Sequence, residues 1–166
     1  MSEPPTALRA EPDGGHPTAR VAEGAASPYA VAMQVQSDLA LTPGLSARVE
    51  LTVTDADTAE AVGSGDVPVL GTPRVLALAE AATVAASAPH LPAGATSVGT
   101  RVELTHLAAT PVGRTVVAQA TLTTVDRRRL VFDVEVTEGG QRVAEGRVER
   151  VVVDRQRFVE RAGRPS

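Results

Sequence analysis

The order of patterns along this chain predicts an α+β domain in which a curved antiparallel sheet wraps around one long central helix. Three observations carry that expectation. One alternating stretch, with Val49, Leu51 and Val53 set against Arg48, Glu50 and Thr52, has the period of a half-buried strand. It is followed by a single alanine-rich apolar run from Thr72 to Ala88, long enough for a helix of about 16 residues, or about 24 Å. Four further strand-like runs, near 96–106, 114–125, 129–137 and 142–153, then follow without another long helix.

Each element has its own warrant. Residues 1–35 are rich in Pro, Gly, Ala and Glu, with no sustained period, and read as a disordered N-terminal tail. Residues 31–41 fit a short strand or a short helix equally well. The folded domain is expected over 36–161, with 162–166 a tail. Asp55 to Asp66 reads as a loop or a single helical turn, and Asp55, Asp57 and Glu60 as solvated acids within it. Thr72 is well placed to cap the helix and Pro73 to open it, while Pro89 and Pro92 end it. In the strands, Val116, Ala118, Ala120 and Leu122 share one face, as do Leu130, Phe132, Val134 and Val136. Thr110 to Gly113, Asp126-Arg127 and Glu138 to Gly140 read as turns. A short helix is expected near 154–161. One helix covers only one face of a five-stranded sheet, so the second face and the edges call for a symmetric homodimer.

Composition narrows the function. Aromatic residues make up 2% of the 166 residues, so Val, Leu and Ala must fill the core. The net charge of −4 argues against nonspecific nucleic-acid binding. All 16 basic residues are Arg, a planar fork suited to phosphate or carboxylate. The chain has no Cys, which rules out a disulfide framework and a thiol nucleophile. His16, His90 and His106 lack metal-ligand spacing, so neither a metal nor another cofactor is expected. No run is long enough for a membrane span. The N-terminus lacks a signal-peptide pattern, which makes the cytoplasm the default compartment.

The helical run contains one acid, Glu80. A helix that is apolar nearly all round is normally buried, and an unpaired buried carboxylate is costly. Glu80 is therefore expected to be paired, or to sit in the kind of environment that tunes a catalytic carboxylate. Thr72 lies eight residues earlier, about 12 Å along the axis and about 80° round from it. His106, 26 residues beyond Glu80, ends a strand. A hydroxyl, a carboxylate and an imidazole are the ingredients of an acyl-transfer site.

The stretch from Leu45 to Glu160, about 115 residues, resembles the fluoroacetyl-CoA thioesterase-like branch of the hotdog-fold thioesterases. The matching features are Gly71-Thr72 with Glu80 eight residues on, Ser97-Val98-Gly99-Thr100, Thr105 to Gly113, Arg127 to Leu130, and Glu149-Arg150. The spacing Thr72–Glu80–Gly99–His106–Arg150 runs without a gap. The resemblance implies a hotdog fold and a dimer with sites at the subunit interface. It also implies hydrolysis of a short or medium acyl-CoA, or of an acyl-carrier-protein thioester. Thr72, Glu80 and His106 would be the catalytic set, with Glu80 as nucleophile or as base toward water. Gly99 would place an amide near the thioester, and Arg150 would contact CoA phosphate. Arg127 to Arg129 form a solvated turn or an anchor for the CoA 3′-phosphate. The fluoroacetyl-specific enzyme carries a phenylalanine gate before the helix. Gly63 to Leu70 holds no aromatic residue here, which implies a more open pocket for another short acyl chain. Two other classes share the fold: a non-catalytic acyl-CoA binding module, and an enoyl-CoA hydratase or dehydratase, for which no Asp/His pairing surrounds His106.

Overall fold

The computed structural model describes residues 40–164; the expected N-terminal tail and the ambiguous 31–39 segment lie outside them. The elements are β1 (Ser46–Thr52), α1 (Thr72–Ser87), β2 (Ala95–His106), β3 (Thr115–Asp126), β4 (Arg129–Glu138), β5 (Gln141–Asp154) and α2 (Arg155–Ala162). Among the described residues every expected strand and helix forms, with ends within one or two residues of the pattern. The strands make one sheet in the order β1-β3-β4-β5-β2, antiparallel throughout. Two tight hairpins build its centre. Gly139 and Gly140 join β4 to β5 with φ of 56° and 89°, the left-handed pair that a two-residue hairpin turn demands. Arg127, with φ 54°, opens the β3–β4 turn in the same region.

The alternation read from the sequence sets the layers. Val116, Ala118, Ala120 and Leu122 of β3 are buried, as are Leu130, Phe132, Val134 and Val136 of β4. Val75, Leu78, Ala79, Ala82 and Ala86 of α1 pack onto that face. The small alanines let the helix sit close to the sheet, and Phe132 fills the centre.

The far side of the sheet is a lattice of charges. Arg129 donates two bonds to Glu149, at 2.9 and 2.8 Å. Arg147 pairs with Asp133, and Arg142 with Glu135 and Glu145. A concavity of about 1080 Å³ lies over this face at Glu103, Asp133, Glu135, Arg142 and Arg147; it touches none of the expected site residues.

Two sequence readings change. The long helix is not buried all round within one chain: Ala77, Ala81, Val84 and Ala85 are exposed, Val84 by 40%. Asp57 is not a solvated acid but is buried. Thr54 encloses its carboxylate through backbone N–H and hydroxyl, at 2.8 and 2.7 Å, and Arg74 of α1 reaches it at 2.7 Å.

Candidate active site

Two residue pairs stand on α1 and the strands opposite it. The first is at the start of the helix. Gly71, not Thr72, is the N-cap, and Thr72 is the first helical residue. Its hydroxyl bonds Nδ1 of His106, at the end of β2, at 2.9 Å rather than capping the helix. The other ring nitrogen, Nε2, is buried and has no partner among the described residues. A ring that accepts from Thr72 at Nδ1 carries its proton on Nε2; a ring that donates there leaves Nε2 basic.

The segment before the helix fixes Thr72 in place. The Gly71 amide donates to the Asp57 carbonyl at 2.9 Å, and the Leu70 amide to the Thr110 carbonyl at 2.9 Å. Asp57 clamps Arg74 two residues beyond Thr72. The Thr54 hydroxyl bond holds the Asp57 carboxyl below its usual value; burial opposes this, while the Thr54 amide and Arg74 add to it.

The second pair lies two turns along the helix. Glu80, with a side chain 34% exposed, faces Arg150 of β5 at 3.3 Å. Arg150 is 5% exposed. Its Nε donates to the Ser97 hydroxyl at 2.9 Å, and Nη2 to the Ser97 carbonyl at 2.9 Å. Nη1 also reaches the Thr83 hydroxyl at 3.3 Å. Burial lowers the Arg150 pKa, and the Glu80 carboxylate opposes that shift. The guanidinium thus spends its donors inside the chain, toward Glu80.

Gly99 pairs with Arg150 across the β2–β5 ladder, and the register slips just after it, between Gly99 and Arg101. A Cβ at Gly99 would collide with Oε1 of Glu80. Glycine is what allows the carboxylate to rest on the backbone of an edge strand whose amide row is partly unpaired.

Thr72 and His106 are therefore joined, and so are Glu80, Gly99 and Arg150; within one chain, the two groups sit about 12 Å apart along the helix axis. The Arg127–Arg129 run divides: Arg129 is bound to Glu149, while Arg127 and Arg128 are exposed in the turn. The sequence reading gave no site role to Ser97, which it named only within a matching motif, to Asp57, which it took for a solvated acid, or to Thr83. Thr83 lies three residues after Glu80 on the same helical face, and Thr54-x-x-Asp57 has capping-box spacing; both signals were present.

A family model described as fluoroacetyl-CoA-specific thioesterase matches residues 53–156. The fluoroacetyl-CoA thioesterase of Streptantibioticus cattleyicolor is 40% identical over 90 residues, which are 54% of this chain and 65% of that protein, so the match spans slightly less than two thirds of the relative's length. A solved fluoroacetyl-CoA thioesterase structure superimposes with a TM-score of 0.69 at 32% identity, covering 75% of this chain and 98% of that one. A Thermus thermophilus member of the thioesterase superfamily gives 0.68 at 26% identity, over 73% and 90%. A hot-dog-like protein from Thermanaerovibrio acidaminovorans gives 0.67 at 28%, over 72% and 89%. With its sheet wrapped around α1, the chain has the hotdog fold and belongs to the fluoroacetyl-CoA-specific thioesterase family.

Proposed function

We propose that the chain hydrolyses an acyl-CoA thioester to the free acid and CoA thiol. The observation that carries this reading is the pairing of Thr72 with His106 on the same helix that presents Glu80 against Gly99 and Arg150. Family membership supports it. In this mechanism Glu80 either attacks the thioester carbonyl or takes a proton from the attacking water. If Glu80 attacks, the oxyanionic adduct collapses with C–S cleavage to an anhydride on Glu80, which water then hydrolyses to the free acid and the restored carboxylate. If water attacks, collapse of its adduct gives the free acid directly. In both routes the departing sulfur takes its proton from His106. Thr72 orients the imidazole and the acyl group. An amide near Gly99 receives the oxyanion.

The separation of the two groups along α1 favours a site completed between two copies. The outer face of α1 (Ala77, Ala81, Val84, Ala85) is apolar, and β2 is a sheet edge. A two-fold homodimer that buries both would bring the Thr72–His106 pair of one subunit toward the Glu80 of the other. The 63–70 segment has no aromatic side chain to close over the acyl group, which suits a short chain other than fluoroacetyl. CoA and a carrier protein present the same thioester.

The test is thiol release from a panel of short, branched, aromatic and long acyl-CoAs, read with a thiol reagent. The chain has no Cys, so it contributes no background. Turnover of at least one short ester is expected. No release from any ester by folded protein would overturn the hydrolase reading in favour of a binding module.

A further inference from the structure

Arg150 is almost fully buried, and a buried cation survives only where its donors are matched. Glu80 is not its main anchor. At 3.3 Å that link is longer than the two bonds to Ser97, both 2.9 Å. Ser97 engages Nε through its hydroxyl and Nη2 through its carbonyl, so one residue grips two points of a rigid plane and fixes its rotation. Thr83 sets the third point. Its hydroxyl proton is spent on the Glu80 backbone carbonyl at 2.6 Å, which turns an oxygen lone pair toward Nη1 of Arg150. With three points held, the remaining direction of Nη1 is toward Oε1 of Glu80.

We infer that Ser97 and Thr83 are positioning residues for the hydrolytic reaction, holding the Arg150 guanidinium in the one orientation that presents Nη1 to the Glu80 carboxylate. Each is assigned to act through Arg150, the group both bond. The clamp joins three elements, with Thr83 on α1, Ser97 on β2 and Arg150 on β5. Without it, the arginine retains its charge but loses its aim, and Glu80 loses the partner that fixes its side chain beside Gly99. The inference rests on the hydrolase reading above.

The experiment compares full-length wild type with Ser97→Ala, Thr83→Val and Thr83→Ser, using the ester that wild type turns over fastest. Displacing a reacting group by an ångström costs about a hundredfold, so kcat is expected to fall about ten- to hundredfold in Ser97→Ala and Thr83→Val. KM is expected to change less than kcat, because the clamp aims Arg150 at the Glu80 carboxylate. Thr83→Ser keeps the hydroxyl and is expected to recover most of the rate. Melting curves identify any variant that fails to fold, and the Ser97 and Thr83 arms are independent of each other. A competent wild type with unchanged kcat in both Ser97→Ala and Thr83→Val overturns the clamp alone. So does a Thr83→Ser variant as slow as Thr83→Val. A wild type that releases no thiol overturns the hydrolase reading and the clamp's role with it.

Discussion

Replacing Gly99 by Ala separates the site's geometry from the fold's stability. The new Cβ would lie closer than 3.0 Å to Oε1 of Glu80, with Cδ at 3.5 Å and Nη1 of Arg150 at 3.8 Å. Ordinary contact begins near 3.4 Å, so the carboxylate must withdraw by about 1 Å, the scale on which positioned catalysis fails. The atom that moves is the end of a flexible side chain, partly open to solvent, and no backbone shift is required. A misplacement of that size costs about a hundredfold in kcat, or about 2.7 kcal/mol at 1.36 kcal/mol per tenfold. The melting temperature is expected to hardly change. Gly146→Ala provides the contrast. There the Cβ meets the Glu103 carbonyl and the Leu104 Cα, which are backbone atoms of the neighbouring strand. The β2–β5 ladder must open, and the fold is expected to be lost or severely weakened. Thiol release and thermal unfolding, measured on both variants, check the pair. A Gly99→Ala enzyme with wild-type kcat would refute the placement of Glu80 on the Gly99 backbone.

Asp57→Asn is expected to lose about 1–2 kcal/mol at neutral pH, toward the low end because its Arg74 partner is 40% exposed. The native carboxyl titrates below its usual value of 3.8, so its contribution is complete above that value and disappears as pH falls through the native pKa. Denaturant melts of wild type and variant are expected to differ at pH 7 and to converge at strongly acidic pH. Val84→Arg places a charge on the exposed apolar face of α1; sedimentation is expected to show a monomer, and turnover to fall with it. Thr72→Ala and His106→Ala each remove one end of the 2.9 Å bond, and each is expected to lower kcat about 10²–10⁴-fold, measured by thiol release.

The sequence was most readable where a period decides. The alternation in β3 and β4 gave the buried face residue by residue, because a strand's side chains must take one side or the other. Proline at 73 and 89 bracketed α1. Parity also holds information about Arg150. It is in phase with the buried Val148 and Val152, which places it on the core side of β5. Thr72 was harder to read, because helix capping and a bond to His106 demand the same residue; only the approach of β2 to the helix start separates them. Asp57 resembled its solvated neighbours in composition; the Thr54-x-x-Asp57 spacing was a local signal, but its second partner, Arg74, is 17 residues away. The apolar helix showed that its surface needs cover but not that one sheet covers only half of it.

In the proposed mechanism Glu80 carries out the chemistry of thioester hydrolysis. The most direct test is the turnover number of Glu80→Gln beside wild type on the same acyl-CoA, with the fold of each confirmed by its melting curve. Gln preserves shape and removes the charge. Turnover is expected to be abolished in a protein that melts like wild type; a near-wild-type rate in the folded variant would remove Glu80 from the chemistry.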